Sequence, residues 1–307
     1  MNQNVHTYIV VFVLVFLNSD AMCQRLQLLK FDYSKSDSIA INMPRSSVKT
    51  AGEFAKELTK NLNTEHEKYR AIFRWVCENV EYRKGRDLDE ADDVYKKKKT
   101  EVRGFAIIVE AMCHAVGIKC ETVAGFIKTN PYDHIPKAMK EPDHAWNAVF
   151  LASEWHLSDA SLGAGVVEPR RKKFYQQFRE EWFLPDANFF IYTHYPEDVR
   201  WMLHDIEFKK NTFKKGPIYT INAYNASATL GAKAKGKIKR KLKLTIDSEK
   251  ELEYATILFA GDEDQPYSVL LKRRDNIYTI DYSFDKDQSG LCTLQLNGEP
   301  YFLFIKP

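Results

Sequence analysis

Apolar residues return at helical spacing through the first half of the chain and alternate with polar ones through the last third. Val48, Ala51, Ala55, Leu58 and Leu62 keep to one helix face, with Ser46 or Ser47 placed to cap it. Thr64-x-x-Glu67 spells a capping box ahead of Tyr69, Ile72, Phe73, Val76, Cys77 and Val80, which predicts a second helix. A third, over residues 103–116, sets Phe105, Ile108, Val109, Met112 and Cys113 on one side and meets Gly117, suited to a left-handed cap. The charge run between them, acidic over 87–93 and basic over 96–99, reads as a solvated loop. Residues 118–128 read as a strand in which Gly125 permits a close approach. A polar loop with Pro131, Pro136 and Pro142 follows, and then a hairpin of two strands, 143–149 and 155–159, turning at Ala152-Ser153.

From residue 217 the pattern is strands alone, over 217–226, 237–247, 252–260, 267–272, 277–284, 291–296 and 301–305. Tyr278, Ile280 and Tyr282 alternate with Thr279, Asp281 and Ser283, and Asn297-Gly298 is a tight-turn signal. Seven short strands in this length predict an immunoglobulin-like sandwich, with residues 228–236 a loop of small residues and lysines. The fold class is therefore α+β, helices on an antiparallel sheet over 46–215 and an all-β domain over 216–307. Residues 22–45 read as a lead-in, extended over 25–42.

The unbroken apolar run of residues 8–17 is too short to span a bilayer and has the length of a signal-peptide core, with small residues ahead of a cut after Ala21. The expectation is an exported protein, secreted, periplasmic or cell-surface, with a signal peptide over 1–21 and no transmembrane domain beyond it. A net charge of +3, from 45 basic and 42 acidic residues, implies no nucleic-acid footprint in the overall balance. Five cysteines without a CxxC or a Cys/His cluster give no metal-site signature, no cofactor is expected, and buried free thiols are the default reading for Cys77, Cys113, Cys120 and Cys292, with disulfides among them the alternative in an exported chain.

The chemistry lies between residues 100 and 159. Gly104-Phe105-Ala106 opens the third helix, Asp143-His144-Ala145-Trp146-Asn147 opens one strand and Ser158-Asp159 closes the next. With the turn at Ala152-Ser153, Asp159 lies opposite Trp146 and His144 is its diagonal neighbour on the same face. Farther on come Phe183-Leu184-Pro185-Asp186 and Thr193-His194-Tyr195-Pro196-Glu197-Asp198. This order, over residues 69–215, resembles the transglutaminase-like superfamily, and its kyphoscoliosis-peptidase-like branch in particular. The resemblance implies a papain-like core with a Cys-His-Asp site, His144 as general base and Asp159 as its orienting carboxylate. The family's Gly-x-Cys-x-Gly-Phe/Tyr-Ala then sets Val102 at the nucleophile, and Thr100 where a glycine is usual. Valine has no lone pair and no ionisable proton, so it cannot attack a carbonyl. Cys113 is no substitute, lying roughly 16 Å along the helix axis from its mouth.

Three functions are open on these residues. One is a pseudoenzyme whose groove, lined by Val102 and Trp146, binds a peptide or protein or serves as a scaffold. A second is a hydrolase of the transglutaminase or peptidase type, in which His144 and Asp159 serve a non-cysteine nucleophile. In the third, His144 and Asp159 are a satisfied pair in a structural core.

Overall fold

The structure, a computed structural model, describes residues 31–44, 46–129, 139–168, 173–204, 208–231 and 233–307. The expected signal segment with its expected cut after Ala21, and most of the proline loop, lie outside them.

Where an extended lead-in is expected, Ser34–Asn42 forms a helix, α1. Its anchor is remote in sequence: the buried Arg70 guanidinium grips Asp37 through Nε (2.6 Å) and Nη2 (2.8 Å) and reaches Glu180 with its other edge (2.6 Å). Helix α2, Ala51–Thr59, begins later than the serines suggest. Thr50 Oγ1 accepts from the Glu53 amide (3.2 Å) and caps it, while the Ser46 hydroxyl donates to Glu57 (2.5 Å). Helix α3, Glu65–Asn79, opens on the expected capping box of Thr64 and Glu67. Strand β1, Glu81–Tyr82, leads into the charged stretch, which is not all loop: Ala91–Lys97 is a helix, α4. Two side chains turn it inward, Val94 and Tyr95, the latter against Phe54 and Trp75, and an Asp93–Lys97 pair (2.7 Å) ties its outer face. Strand β2, Lys99–Thr100, pairs in parallel with β1, and helix α5, Val102–Ala115, follows with the expected apolar face buried and Gly117 at φ 82°.

Strand β3, Cys120–Ile127, is followed by β4, His144–Leu151, and β5, Glu154–Ser158. Ala152 and Ser153 both take positive φ (49° and 71°), giving the tight turn that fixes the hairpin. A short helix, α6 (Ala160–Gly163), a hairpin of β6 (Gly165–Glu168) and β7 (Lys173–Gln176), and α7 (Ala187–Phe190) lead to β8, His194–Pro196. The antiparallel sheet runs β5-β4-β3-β8. Gly125 earns its place in β3, because a β-carbon there would come within 2.4 Å of both the Trp146 ring and the Tyr195 carbonyl oxygen.

Helix α8, Lys210–Lys215, links this unit to the second. Residues 217–226, expected as one strand, give only β9 (Ile218–Tyr219) before turning into α9 (Ile221–Asn225), whose Ala223 is buried. Strands β10 (Thr229–Leu230), β11 (Lys241–Asp247), β12 (Ala255–Phe259), β13 (Asp262–Val269), β14 (Leu271–Arg274), β15 (Ile277–Ser283), β16 (Gly290–Leu296) and β17 (Glu299–Lys306) complete the chain. They form a four-stranded sheet, β10-β11-β15-β14, and a five-stranded one, β13-β12-β16-β17-β9, a β-sandwich with its own core. The expected strand over 267–272 is split, since the chain changes sheet at Leu270, which is 67% exposed. Asn297 (φ 52°) and Gly298 (φ 82°) make the expected turn.

Cys77, Cys113, Cys120 and Cys292 are buried free thiols, and burial pushes the Cys292 thiol up to about 12. Among the described residues no helix is long and apolar enough to cross a membrane.

Candidate functional site

Helix α5 starts at Val102, and its N-cap, Glu101, offers the first turn no side-chain acceptor. Val102 is half-buried in the wall of a cleft of about 720 Å³. Just before it, Thr100 is fully buried and occupies the space beside Gly104; a β-carbon on Gly104 would lie 2.1 Å from the Thr100 hydroxyl. Threonine in place of the usual glycine therefore leans on the glycine two positions past Val102.

The hairpin register Asn147↔Ser158 carries Asp159 level with Trp146, as expected, and His144 reaches it across the diagonal: Nε2 to Oδ2 is 2.6 Å. With Nε2 on the carboxylate, Nδ1 is the nitrogen left to His144 for proton transfer. Asp159 is fully buried and takes four donors. Oδ1 accepts from the Ser161 hydroxyl (2.8 Å) and the Leu162 amide (3.0 Å), and Oδ2 faces His144 and a second imidazole, His194 Nε2, at 3.1 Å. Burial alone would raise this carboxyl, but the two imidazoles outweigh it and hold Asp159 far below the ordinary carboxylate range.

His194 is enclosed completely. Its ring stacks on Phe190 (3.8 Å between centroids, 8° between planes), with Trp146 and Trp182 edge-on. Burial pushes it down to about 4, against the pull of Asp159, so it is neutral near pH 7. Neutral His194 serves Asp159 as the Nε2–H tautomer, and its Nδ1 lies 2.8 Å from the Thr193 hydroxyl, whose single hydrogen is shared between that nitrogen and the Phe190 carbonyl (2.9 Å). The order is thus Thr193, His194, Asp159, His144, running from the core to the cleft.

The structure brings His144, Asp159 and Val102 to one place but removes Trp146 from the groove. Trp146 is 1% exposed and fills the room above Gly125, against Phe190. Alternation along β4 sets Trp146 on the His144 face, but the Phe190 ring of α7 and the His194 ring of β8 pack against it there. The cleft is lined instead by Val102, His144, Ser161 and Trp182, together with Tyr219, Tyr224 and Leu303 of the second unit. His194 went unassigned in the sequence, although Thr193-His194-Tyr195-Pro196 is part of the family-like text; its signal is a lone histidine opening a strand, paired with Ile127.

His144, Asp159 and His194 also form the one candidate donor set for a cation among the described residues, their ligand atoms within 4.8 Å of one another. Tetrahedral zinc would hold adjacent ligand atoms about 3.3 Å apart. At 2.6 Å, His144 and Asp159 are too close to share an ion, and their contact is a hydrogen bond.

The geometry can hold an imidazole against a carboxylate at the mouth of a cleft, with no side-chain nucleophile on the helix start. Two comparisons bear on it. The family model of the transglutaminase-like superfamily matches residues 52–160, which contain α5, β4 and Asp159. Kyphoscoliosis peptidase of Homo sapiens is 31% identical over 213 residues, 66% of this chain and 32% of that protein, and its Mus musculus counterpart is 31% identical over 207 residues, 65% and 31%. The chain thus spans about a third of the length of these relatives. A solved structure of a TGase overlaps 54% of this chain and 42% of that one, at 15% identity and a TM-score of 0.29. Residues 52–160, which run from helix α2 to the Asp159 carboxylate, belong to the transglutaminase-like superfamily, and the chain is similar to its kyphoscoliosis-peptidase branch.

Proposed function

We propose that this is a non-catalytic transglutaminase-like protein whose cleft binds an extended peptide or protein segment. One observation carries the reading: the helix start that would present a nucleophile presents Val102, on the wall of an open cleft, beside an intact His144–Asp159 pair. A triad stripped of its nucleophile keeps only the residual effect of binding and oxyanion contacts. The name of the peptidase relatives supports a peptide as the ligand class. The apolar run over residues 8–17 supports export, and two packed antiparallel sheets support an immunoglobulin-like sandwich as the second domain.

The test compares wild type, Val102→Cys and Val102→Cys/His144→Ala in thiol labelling at pH 5.5 and in turnover of peptide amides. An ordinary thiol is about a thousandth ionised at that pH, whereas one held as thiolate is mostly ionised, which after its lower intrinsic nucleophilicity leaves roughly a tenfold faster reaction. Val102→Cys should label at that faster rate and the double variant at the ordinary one, with wild type inert in both assays. Peptide binding by wild type should survive His144→Ala and fail when Val102→Trp fills the cleft. Turnover by wild type that vanishes in His144→Ala would overturn the reading in favour of a hydrolase using another nucleophile.

A further inference from the structure

The near-balance of charge over the whole chain conceals a strong local excess. Between residues 209 and 246 there are eleven lysines and arginines and no acid, leaving 34 of the 45 basic residues against all 42 acidic ones elsewhere. The fold gathers this segment onto the sandwich. The Gly236 amide donates to the Lys215 carbonyl (2.8 Å), which brings the end of α8 beside the lysine-rich run 233–243. In β11 the pleat turns Leu242, Leu244 and Ile246 inward, and Lys241 and Lys243 therefore face out. Lys272 and Arg274 add to the same sheet from β14, at its edge.

Lys233, Lys243 and Lys272 line a hollow of about 780 Å³ in which Asp281 is the one acid on the described lining, paired with Lys243 at 3.3 Å. Leu270, 67% exposed, also lines it. From this surface we infer that the sandwich docks on an anionic phospholipid bilayer, face-on through the β10-β11-β15-β14 sheet. Three features favour that partner. The excess is almost all lysine, whose ammonium groups act as point charges on a diffuse negative surface, rather than arginine with its planar fork. The hollow has no aromatic side chain on its described lining, so it lacks the platforms on which single-stranded nucleic acid stacks. The exposed Leu270 amid lysines supplies the apolar contact an interfacial binder inserts among headgroups. The inference rests on the sandwich face alone and is independent of the cleft.

The experiment is co-sedimentation of the full chain with vesicles of phosphatidylcholine, and of three parts phosphatidylcholine to one of phosphatidylglycerol. Each basic residue near such a surface contributes about fivefold, so Lys233→Gln/Lys243→Gln/Lys272→Gln should weaken binding to the anionic vesicles about a hundredfold at low salt. Salt should abolish the difference between vesicle types as it shortens the screening length. A control triple on exposed lysines of the other domain, Lys49→Gln/Lys56→Gln/Lys60→Gln, removes the same charge and should bind as wild type does. Any apolar contribution of residues 8–17 acts on both vesicle types and all three proteins alike, so the ratio is the readout. Equal binding to both vesicle types, an equal loss in the two triples, or tighter binding to heparin or duplex DNA than to anionic vesicles would each overturn the inference.

Discussion

Replacing His194 by glutamine should change how the fold responds to acid, and the size of the change follows from where the ring sits. His194 is fully enclosed, with its titration pushed down to about 4 from an ordinary value of 6.5. Between those values the unfolded chain binds a proton that the folded one refuses, so stability falls as pH falls through that window. Integrated from pH 7.5 to 4.5, the loss assigned to His194 is about 2.5 kcal/mol. His66 and His156, both also pushed down by burial, lose stability with the same sign. The comparison that isolates His194 is therefore wild type against His194→Gln, by urea unfolding at several pH values. At pH 7.5 the variant should be less stable by about 1–3 kcal/mol, the cost of disturbing buried hydrogen bonds to Asp159 and Thr193. By pH 4.5 that gap should close by about 2.5 kcal/mol, because glutamine has no proton to refuse. A gap that stays constant from pH 7.5 to 4.5 would refute the neutral, enclosed His194 and with it the assigned order of donors around Asp159.

Lys128, 3% exposed and pushed down by burial to about 7, donates to the carbonyls of Phe213 and Gly216 at the junction between the domains. Folding there excludes a proton between pH 7 and 10.5, so wild type should gain roughly 2–3 kcal/mol between pH 6 and 9, a rise that Lys128→Met should flatten in thermal melts. Arg70→Met leaves Asp37 only the longer pair with Arg74 (3.7 Å) and should cost about 3 kcal/mol in urea unfolding, whereas Glu180→Gln, at an acid whose side chain is 63% exposed, should cost less than about 1 kcal/mol. Gly104→Ala should destabilise by about 1–3 kcal/mol through its clash with Thr100, and in a Thr100→Gly background it should become neutral or stabilising. Excess zinc should leave the melting temperature unchanged, and a rise that His194→Gln removes would show that the His144–Asp159–His194 set opens to hold an ion.

The part of the site that was legible in the sequence was the part built by neighbours in the chain. A two-residue turn at Ala152-Ser153 sets one register, and that register alone puts His144 beside Asp159. His194 was not legible in this way, since it reaches Asp159 from a three-residue strand, 35 positions on, whose place depends on pairing with β3. Trp146 shows the limit of alternation: period two gives two faces but does not say where along one face the cleft ends. The same distinction separates the helices. Helix α3 carries its own capping box, whereas α1 is held by Arg70, 33 residues beyond Asp37, and α4 has only Val94 and Tyr95 to mark an inner side.

The cleft beside His144 is lined from both units, by Tyr219, Tyr224 and Leu303 as well as by Val102 and Trp182. A molecule lodged there touches two cores that otherwise fold around separate clusters. Its binding energy then resists both unfolding and the parting of the two units. Under the proposed function, the sandwich is the second jaw of a clamp.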